Sequence, residues 1–228
     1  MKILISVRDG AEALLAARGG ADFIDAKEPG QGALGGLPAN TIAAIVAALR
    51  AAQFDLPVSA TIGDWPMNAL GEIAARVDAV AACGVDYVKV GITCGPGARE
   101  VLAMLSHHGP TIVPVFIADR GLDAKLIDDA LALRFPAVMA DTADKHSGSL
   151  LDVVSMASLR AFVRSARDSR TQIGLAGALQ SRHAAALAEL APDFAGFRSA
   201  VCVGGRGQAL DERRLRELLD SLRSVQPA

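Results

Sequence analysis

Two lysines and a carboxylate lie within apolar segments whose β-branched residues predict buried strands. Asp25 and Lys27 are two positions apart, so their side chains share one face of a strand, and Lys89 interrupts the apolar run 87–91. Because a lone charge is costly to bury, we expect Asp25 and Lys27 to neutralise each other, as a structural ion pair or within an active site. If Lys27 and Lys89 face one pocket, each disfavours the other's ammonium form. A free amine forms Schiff bases with carbonyl substrates, and nearby amines or carboxylates can move the protons.

Three further aspartates follow predicted strands and are candidates for substrate contacts. They are Asp64, Asp119 and Asp141. Asp64 precedes Trp65 and Pro66, and this order also fits the N-cap of a helix. The sequence has no His-Glu-x-x-His motif, and its three cysteines lack Cys-x-x-Cys spacing. We therefore predict neither a metal centre nor another cofactor.

Glycine-containing turns follow the last two predicted strands, where many barrels bind phosphate through backbone N–H groups. These turns contain Gly177 and Ala178 after the seventh strand, and Gly204 and Gly205 after the eighth. Lys145 and Arg198 could supply positive charge to the same anion or to a second one. The turns therefore predict a phosphorylated substrate.

The elements that must position these residues alternate between short β-branched runs and stretches rich in Ala and Leu. This alternation predicts eight βα units in a single (β/α)₈ barrel domain covering 1–228. A weak repeat occurs three times: an aspartate, Asp22, Asp86 or Asp193, follows the end of a helix and precedes a predicted strand that ends in a cation. The predicted strands are 2–7, 22–27, 57–63, 86–91, 111–118, 137–142, 171–176 and 194–200, and the last helix is 211–224.

Composition narrows the class of protein further. The 228 residues carry 23 Lys and Arg against 25 Asp and Glu, and the basic residues are scattered, which argues against a nucleic-acid partner. We find neither a signal peptide nor an uninterrupted apolar span, so a cytoplasmic protein without membrane contact is expected. The glycine-rich segment 28–37 is predicted to be either a mobile lid or a plain connector.

The sequence resembles the (5-formylfuran-3-yl)methyl phosphate synthases of methanofuran biosynthesis along its whole length. The most specific motif is Asp25-x-Lys27-x-Pro29-x-x-Gly32-x-Leu34-Gly35. Supporting motifs are Gly-Gly-Ala-Asp at 19–22, Val58-Ser59-Ala60-x-Ile62-Gly63-Asp64, Asp86-Tyr87-x-Lys89-Val90-Gly91, Asp141-Thr142-Ala143, Leu175-Ala176-Gly177 and Arg198-x-Ala200-x-Cys202-x-Gly204-Gly205.

The resemblance implies a barrel lyase that joins two molecules of glyceraldehyde 3-phosphate into a phosphorylated furan aldehyde, releasing one phosphate and two waters. It implies that Lys27 forms the Schiff base, that Lys89 accepts a proton, and that Asp25 and Asp141 assist. The product would serve the synthesis of methanofuran or a methanofuran-like one-carbon cofactor. Aliphatic outer helices and the family together suggest a homo-oligomer.

Two alternatives stay open at the level of the residues. A different Schiff-base aldolase or isomerase of phosphosugars would use the same lysine, carboxylate and phosphate loops. A non-catalytic barrel that binds a phosphorylated metabolite would keep the loops, but it would gain nothing from two buried lysines.

Overall fold

Eight parallel strands close into a barrel in the computed structural model, which describes residues 1–32, 34–109, 111–144 and 148–225. Neighbours in sequence are neighbours in the sheet, and β1 pairs with β8 to close it. The predicted (β/α)₈ fold is therefore confirmed. The strands are β1 Lys2–Val7, β2 Phe23–Ala26, β3 Val58–Thr61, β4 Tyr87–Ile92, β5 Ile112–Ile117, β6 Ala137–Asp141, β7 Gln172–Leu175 and β8 Phe194–Phe197.

Helices connect the strands and cover the outside of the barrel. They are α1 Gly10–Gly19, α2 Ala39–Ala51, α3 Leu70–Ala81, α4 Ala98–Leu105, α5 Ala124–Ala132, α6 Leu150–Val153, α7 Met156–Asp168, α8 Ala184–Leu190 and α9 Glu212–Ser224. Short 3₁₀ turns lie at Ser181–His183 and Ser199–Val201. Across the described ranges, every helix is too short or too polar to cross a membrane.

Side chains alternate between the two faces of each strand, as the pleat requires. On β1, Ile3 and Ile5 pack outward in the large apolar cluster beneath the helices, whereas Leu4 belongs to a second cluster inside the barrel. Apolar residues such as Val113 and Met139 fill the interior of the barrel. Inward polar residues such as Ser6 and Asp25 lie towards the carboxyl ends of their strands.

The repeated aspartates stabilise the amino ends of the strands. Each carboxylate accepts the backbone N–H of a residue in the strand beside its own: Asp22 from Ile3, Asp86 from Val58 and Asp193 from Ile173, at 2.7, 2.7 and 2.8 Å. These bonds satisfy buried backbone N–H groups, and a buried N–H group without an acceptor is costly in free energy. The acidic half of the repeat is therefore structural, and the cation that ends each strand lies towards the opposite edge of the barrel.

The β2 loop, described at residues 28–32 and 34–37, is folded against the mouth of the barrel there. The backbone N–H of Glu28 donates to Gly35 O at 2.8 Å, and Thr61 Oγ1 donates to the same carbonyl at 2.9 Å. Leu34 is fully buried with the interior cluster. It fits because β4 carries Gly91 there, whose added Cβ would lie 2.9 Å from Leu34 Cδ1. The loop is therefore a packed cover over one side of the mouth.

Candidate active site

A cavity of about 510 Å³ opens at the carboxyl ends of the strands, where barrel enzymes bind their substrates. Strands and loops from both ends of the chain contribute to its walls. Its polar lining includes Ser6, Asp25, Lys27, Lys89, Asp141, Asp144, Arg198, Ser199 and Arg206, and its small residues include Gly30, Gly32, Ala176, Gly177 and Ala178.

Asp25 pairs with Lys89, two strands away. Lys89 Nζ lies 2.7 Å from Asp25 Oδ1, and both residues are almost fully buried. Ser59 Oγ donates to the same carboxylate at 2.7 Å, and Ser6 Oγ donates at 3.1 Å. The expectation that Asp25 neutralises Lys27 is therefore wrong: β3 carries a small serine between the two partners, so the longer Lys89 side chain reaches Asp25.

Lys27 pairs instead with Asp141 at the end of β6. Its Nζ lies 3.2 Å from Asp141 Oδ2, and both residues are buried. The other oxygen of Asp141 accepts the backbone N–H of Thr142 at 2.7 Å, which fixes the carboxylate. The backbone N–H of Lys27 continues the β1 ladder by donating to Val7 O at 3.0 Å. Lys27 and Lys89 therefore each have a carboxylate partner on another strand.

Burial lowers the pKa of the Lys89 ammonium below its ordinary value. Asp25 raises this pKa and Lys27 lowers it, but desolvation is the largest effect. The floor of the barrel beneath Lys89 includes the buried apolar residues Val113 and Met139. The site can therefore hold a neutral amine nearer to physiological pH than an exposed lysine could.

The turn after β7 brings backbone into the cavity. Gly177 has φ +112°, and an added Cβ would lie 2.8 Å from Thr142 Oγ1, so glycine is required by both conformation and space. Ala178 follows with φ +48°, and both residues line the cavity. The predicted phosphate turn after β7 is thus placed where a ligand could meet its backbone.

The turn after β8 contributes differently from the prediction. Gly204 and Gly205 are exposed and lie outside the cavity lining. Lys145, one of the two cations predicted to bind phosphate, lies outside the described residues.

Arg198 lines the cavity, but its guanidinium donates all five of its N–H groups to protein acceptors. The acceptors are the two oxygens of Glu12 and the carbonyls of Ser6, Arg206 and Gln208. Burial opposes ionisation of Glu12, but hydrogen bonds from Arg198 and Arg8 hold the pKa of its carboxyl below the usual range. Arg198 therefore organises the β8 loop, residues 202–208, and in this arrangement it offers no N–H to a ligand.

Asp64 and Asp119 lie outside the cavity lining and hold loops in place. Asp64 accepts the backbone N–H of Leu34 at 3.2 Å, and helix α3 begins only at Leu70, so the expectation of a helix cap at Asp64 is wrong. Asp119 accepts the backbone N–H groups of Ala143 and Asp144 at 2.6 and 2.7 Å. These aspartates position the loops after β2 and β6.

Sequence reasoning missed four residues of the site: Ser6, Ser59, Glu12 and Arg206. The two serines were visible as hydroxyls within apolar strands, which is a weak signal. Glu12 resembles an ordinary surface residue of an amphipathic helix, and only the structure reveals its pair with Arg198. Among the described residues, no three His, Cys, Asp or Glu side chains are grouped to hold a metal ion.

A closed (β/α)₈ barrel with two buried lysine–carboxylate pairs facing a cavity at the carboxyl ends of its strands defines a barrel enzyme. The sequence model of the 4-HFC-P synthase family matches residues 3–219. The chain therefore belongs to that family, and the resemblance read from its motifs is confirmed.

Relatives match along nearly the whole chain. A protein of Methylorubrum extorquens is 36% identical over 225 residues, covering 98% of this chain and 92% of its own length. A (5-formylfuran-3-yl)methyl phosphate synthase of Methanothermobacter thermautotrophicus is 33% identical and covers 97% of this chain and 100% of its own. The synthase of Archaeoglobus fulgidus is 30% identical, with coverages of 97% and 99%.

Solved structures share the fold at low sequence identity. Phosphoribosyl anthranilate isomerase of Thermus thermophilus aligns with a TM-score of 0.69 and 18% identity, covering 99% of this chain and 100% of its own. Thiamine phosphate pyrophosphorylase of Pyrococcus furiosus aligns with a TM-score of 0.67 and 16% identity, with coverages of 99% and 97%. These similarities establish the barrel alone.

Proposed function

We propose that this chain condenses two molecules of glyceraldehyde 3-phosphate into (5-formylfuran-3-yl)methyl phosphate, as a carbon–oxygen lyase that uses a lysine Schiff base. The atoms balance, because the two trioses lose one phosphate and two waters in forming the furan. The observation that carries the proposal is that Lys27 and Lys89, each beside a carboxylate, line one cavity. The names of the curated relatives support the same product.

Lys27 is the proposed nucleophile. Its amine attacks the aldehyde of one triose phosphate, and loss of water gives an iminium. Asp141, bonded to Lys27 Nζ, can take the proton that the ammonium must lose and later return it. The iminium acidifies the neighbouring carbon, whose proton must then go to a base.

Lys89 is the proposed base. Its lowered pKa brings a neutral amine closer to physiological pH, and Asp25 stabilises the ammonium that forms when the amine accepts the proton. The resulting enamine attacks the aldehyde of the second triose phosphate and makes the carbon–carbon bond. Elimination of one phosphate, ring closure, dehydration and hydrolysis of the imine complete the reaction. We place the product in the synthesis of methanofuran or a related one-carbon cofactor.

The test is to incubate the purified protein with glyceraldehyde 3-phosphate alone. We expect a conjugated furan aldehyde in the near ultraviolet, with the expected mass and one phosphate released per furan. Lys27→Ala should abolish the product, whereas Lys125→Ala, at an exposed lysine on α5, should leave the rate unchanged.

Borohydride adds a second readout, because it reduces an imine to a stable adduct. Peptide mass spectrometry should then find the triose on Lys27. Triose phosphate that is only interconverted or cleaved, without furan, would return the protein to the aldolases and isomerases. Binding without any turnover would favour the non-catalytic alternative.

A further inference from the structure

The proposed substrates are phosphate dianions, so the cavity needs a cation that is able to bind them. Lys27 and Lys89 already have carboxylate partners, at 3.2 and 2.7 Å. Arg198 is saturated by protein acceptors. Arg206 is the remaining cation in the described lining of the cavity.

Arg206 has most of its donors available. Among the residues that the structure describes, its one hydrogen bond runs from Nη2 to the carbonyl of Gly32, at 2.8 Å. A guanidinium has five N–H groups, so four remain for a ligand, enough for a bidentate grip on a phosphate. The two guanidinium nitrogens of Arg206 that have no bond, Nε and Nη1, are not buried, so a ligand can reach them.

The position of Arg206 is fixed from both sides. Its own carbonyl accepts Nε–H of the buried Arg198 at 2.9 Å, and its bond to Gly32 ties the β8 loop to the β2 loop. Burial lowers the pKa of its guanidinium, and Asp141 is the largest influence that raises it. Its charge is therefore felt at the carboxylate that holds Lys27.

We propose that Arg206 recognises the phosphate group of the aldehyde substrate at the mouth of the cavity and thereby selects phosphorylated over free aldehydes. This assignment rests on the proposed function, and it names the residue that makes the enzyme specific for phosphorylated substrates. The backbone of Gly177 and Ala178 also lines the cavity and can complete the shell of donors.

The first test measures phosphate alone. Isothermal titration with inorganic phosphate should give a dissociation constant that rises about 10- to 100-fold in Arg206→Gln, as expected for a lost charge-assisted hydrogen bond. Arg206→Lys should recover part of the affinity, since it keeps the charge but not the fork. Arg213→Gln, at an exposed arginine on α9, makes the same change of charge away from the cavity and should bind as the wild type does. Unchanged affinity in Arg206→Gln, or no binding by the wild type, overturns the assignment.

The second test separates recognition from loop support. Imine trapping with borohydride is compared for glyceraldehyde 3-phosphate and for glyceraldehyde. For half-maximal trapping, Arg206→Gln should require about 10- to 100-fold more glyceraldehyde 3-phosphate than the wild type, and the same concentration of glyceraldehyde. An equal loss for both aldehydes would mean that Arg206 only holds the β2 loop, and the assignment would fail.

The two proposals can fail separately. Loss of phosphate affinity in Arg206→Gln, in a wild-type protein that makes no furan, would retain the anion site and reject the synthase. Furan formation that depends on Lys27, together with unchanged phosphate affinity in Arg206→Gln, would do the reverse.

Discussion

The buried pair of Lys89 and Asp25 should make the protein less stable than a neutral pair of the same size would. Desolvation of two charges is costly, and only close contact with further hydrogen bonds offsets it. Here the carboxylate has Lys89 at 2.7 Å and two serine hydroxyls. The informative perturbations are Lys89→Met, Asp25→Asn and the double variant, because each replacement keeps nearly the original volume.

The magnitudes follow from which charge is left behind. Removing one partner of a buried pair leaves the other charge buried without a partner, which lowers the free energy of unfolding by about 3–5 kcal/mol. At about 2–4 °C per kcal/mol for a chain of this length, either single variant should lose roughly 6–20 °C in Tm. The double variant removes both charges of this pair, and its free energy of unfolding should lie within about 1 kcal/mol of that of the wild type or above it. The two substitutions should therefore be strongly non-additive.

Urea titrations followed by circular dichroism, with the furan assay alongside, would measure this cycle. We expect a double variant that is stable and inactive, which would show that the pair is retained for chemistry at the expense of stability. A double variant that is as unstable as either single variant, or less stable, would refute the reasoning, because removing both charges would then bring no relief.

Two further predictions concern pH. The value of kcat should rise with pH as Lys89 loses its proton. Asp25→Asn should move this rise to lower pH, because Asp25 raises the pKa of Lys89. A rise that moves to higher pH in Asp25→Asn would contradict the role of Lys89 as the base. Glu12→Gln should lower the free energy of unfolding, measured by urea titration, by about 3–5 kcal/mol, because Arg198 loses its carboxylate partner. Because the pKa of Glu12 is lowered on folding, this difference should be constant above the unfolded value of 4.5 and shrink at lower pH. A difference independent of pH would argue against the buried pair.

Much of the fold could be predicted from the sequence, because parallel strands buried on both faces are marked by apolar runs. The prediction 2–7 coincides with β1. Several other strands were predicted too long at their carboxyl ends: the prediction 194–200 runs past Phe197, where β8 ends, into the 3₁₀ turn Ser199–Val201. An apolar run records burial, whereas a strand ends where its ladder of hydrogen bonds ends, and at the mouth of the barrel these two boundaries differ.

The residues of the site were more predictable than their partners. Both lysines and both carboxylates stood out because charges on apolar strands need an explanation. The pairing depends on the stagger of the barrel: Asp25 is level with Ser59, and Thr61 with Lys89, so Lys89 reaches across β3 to Asp25. Residues far apart in sequence carry no local signal of this register.

The arginines illustrate the same limit more strongly. Arg198 ends a strand, and so it was expected to face a ligand, but Glu12 on α1 takes its charge. Arg198 also donates to the carbonyl of Ser6, whose hydroxyl donates to Asp25. A continuous set of hydrogen bonds therefore joins the pair at Glu12 to the pair at Lys89. These hydrogen bonds lie directly beyond the residues by which β1 closes the barrel against β8, so the lysine site is linked to the point where the fold closes.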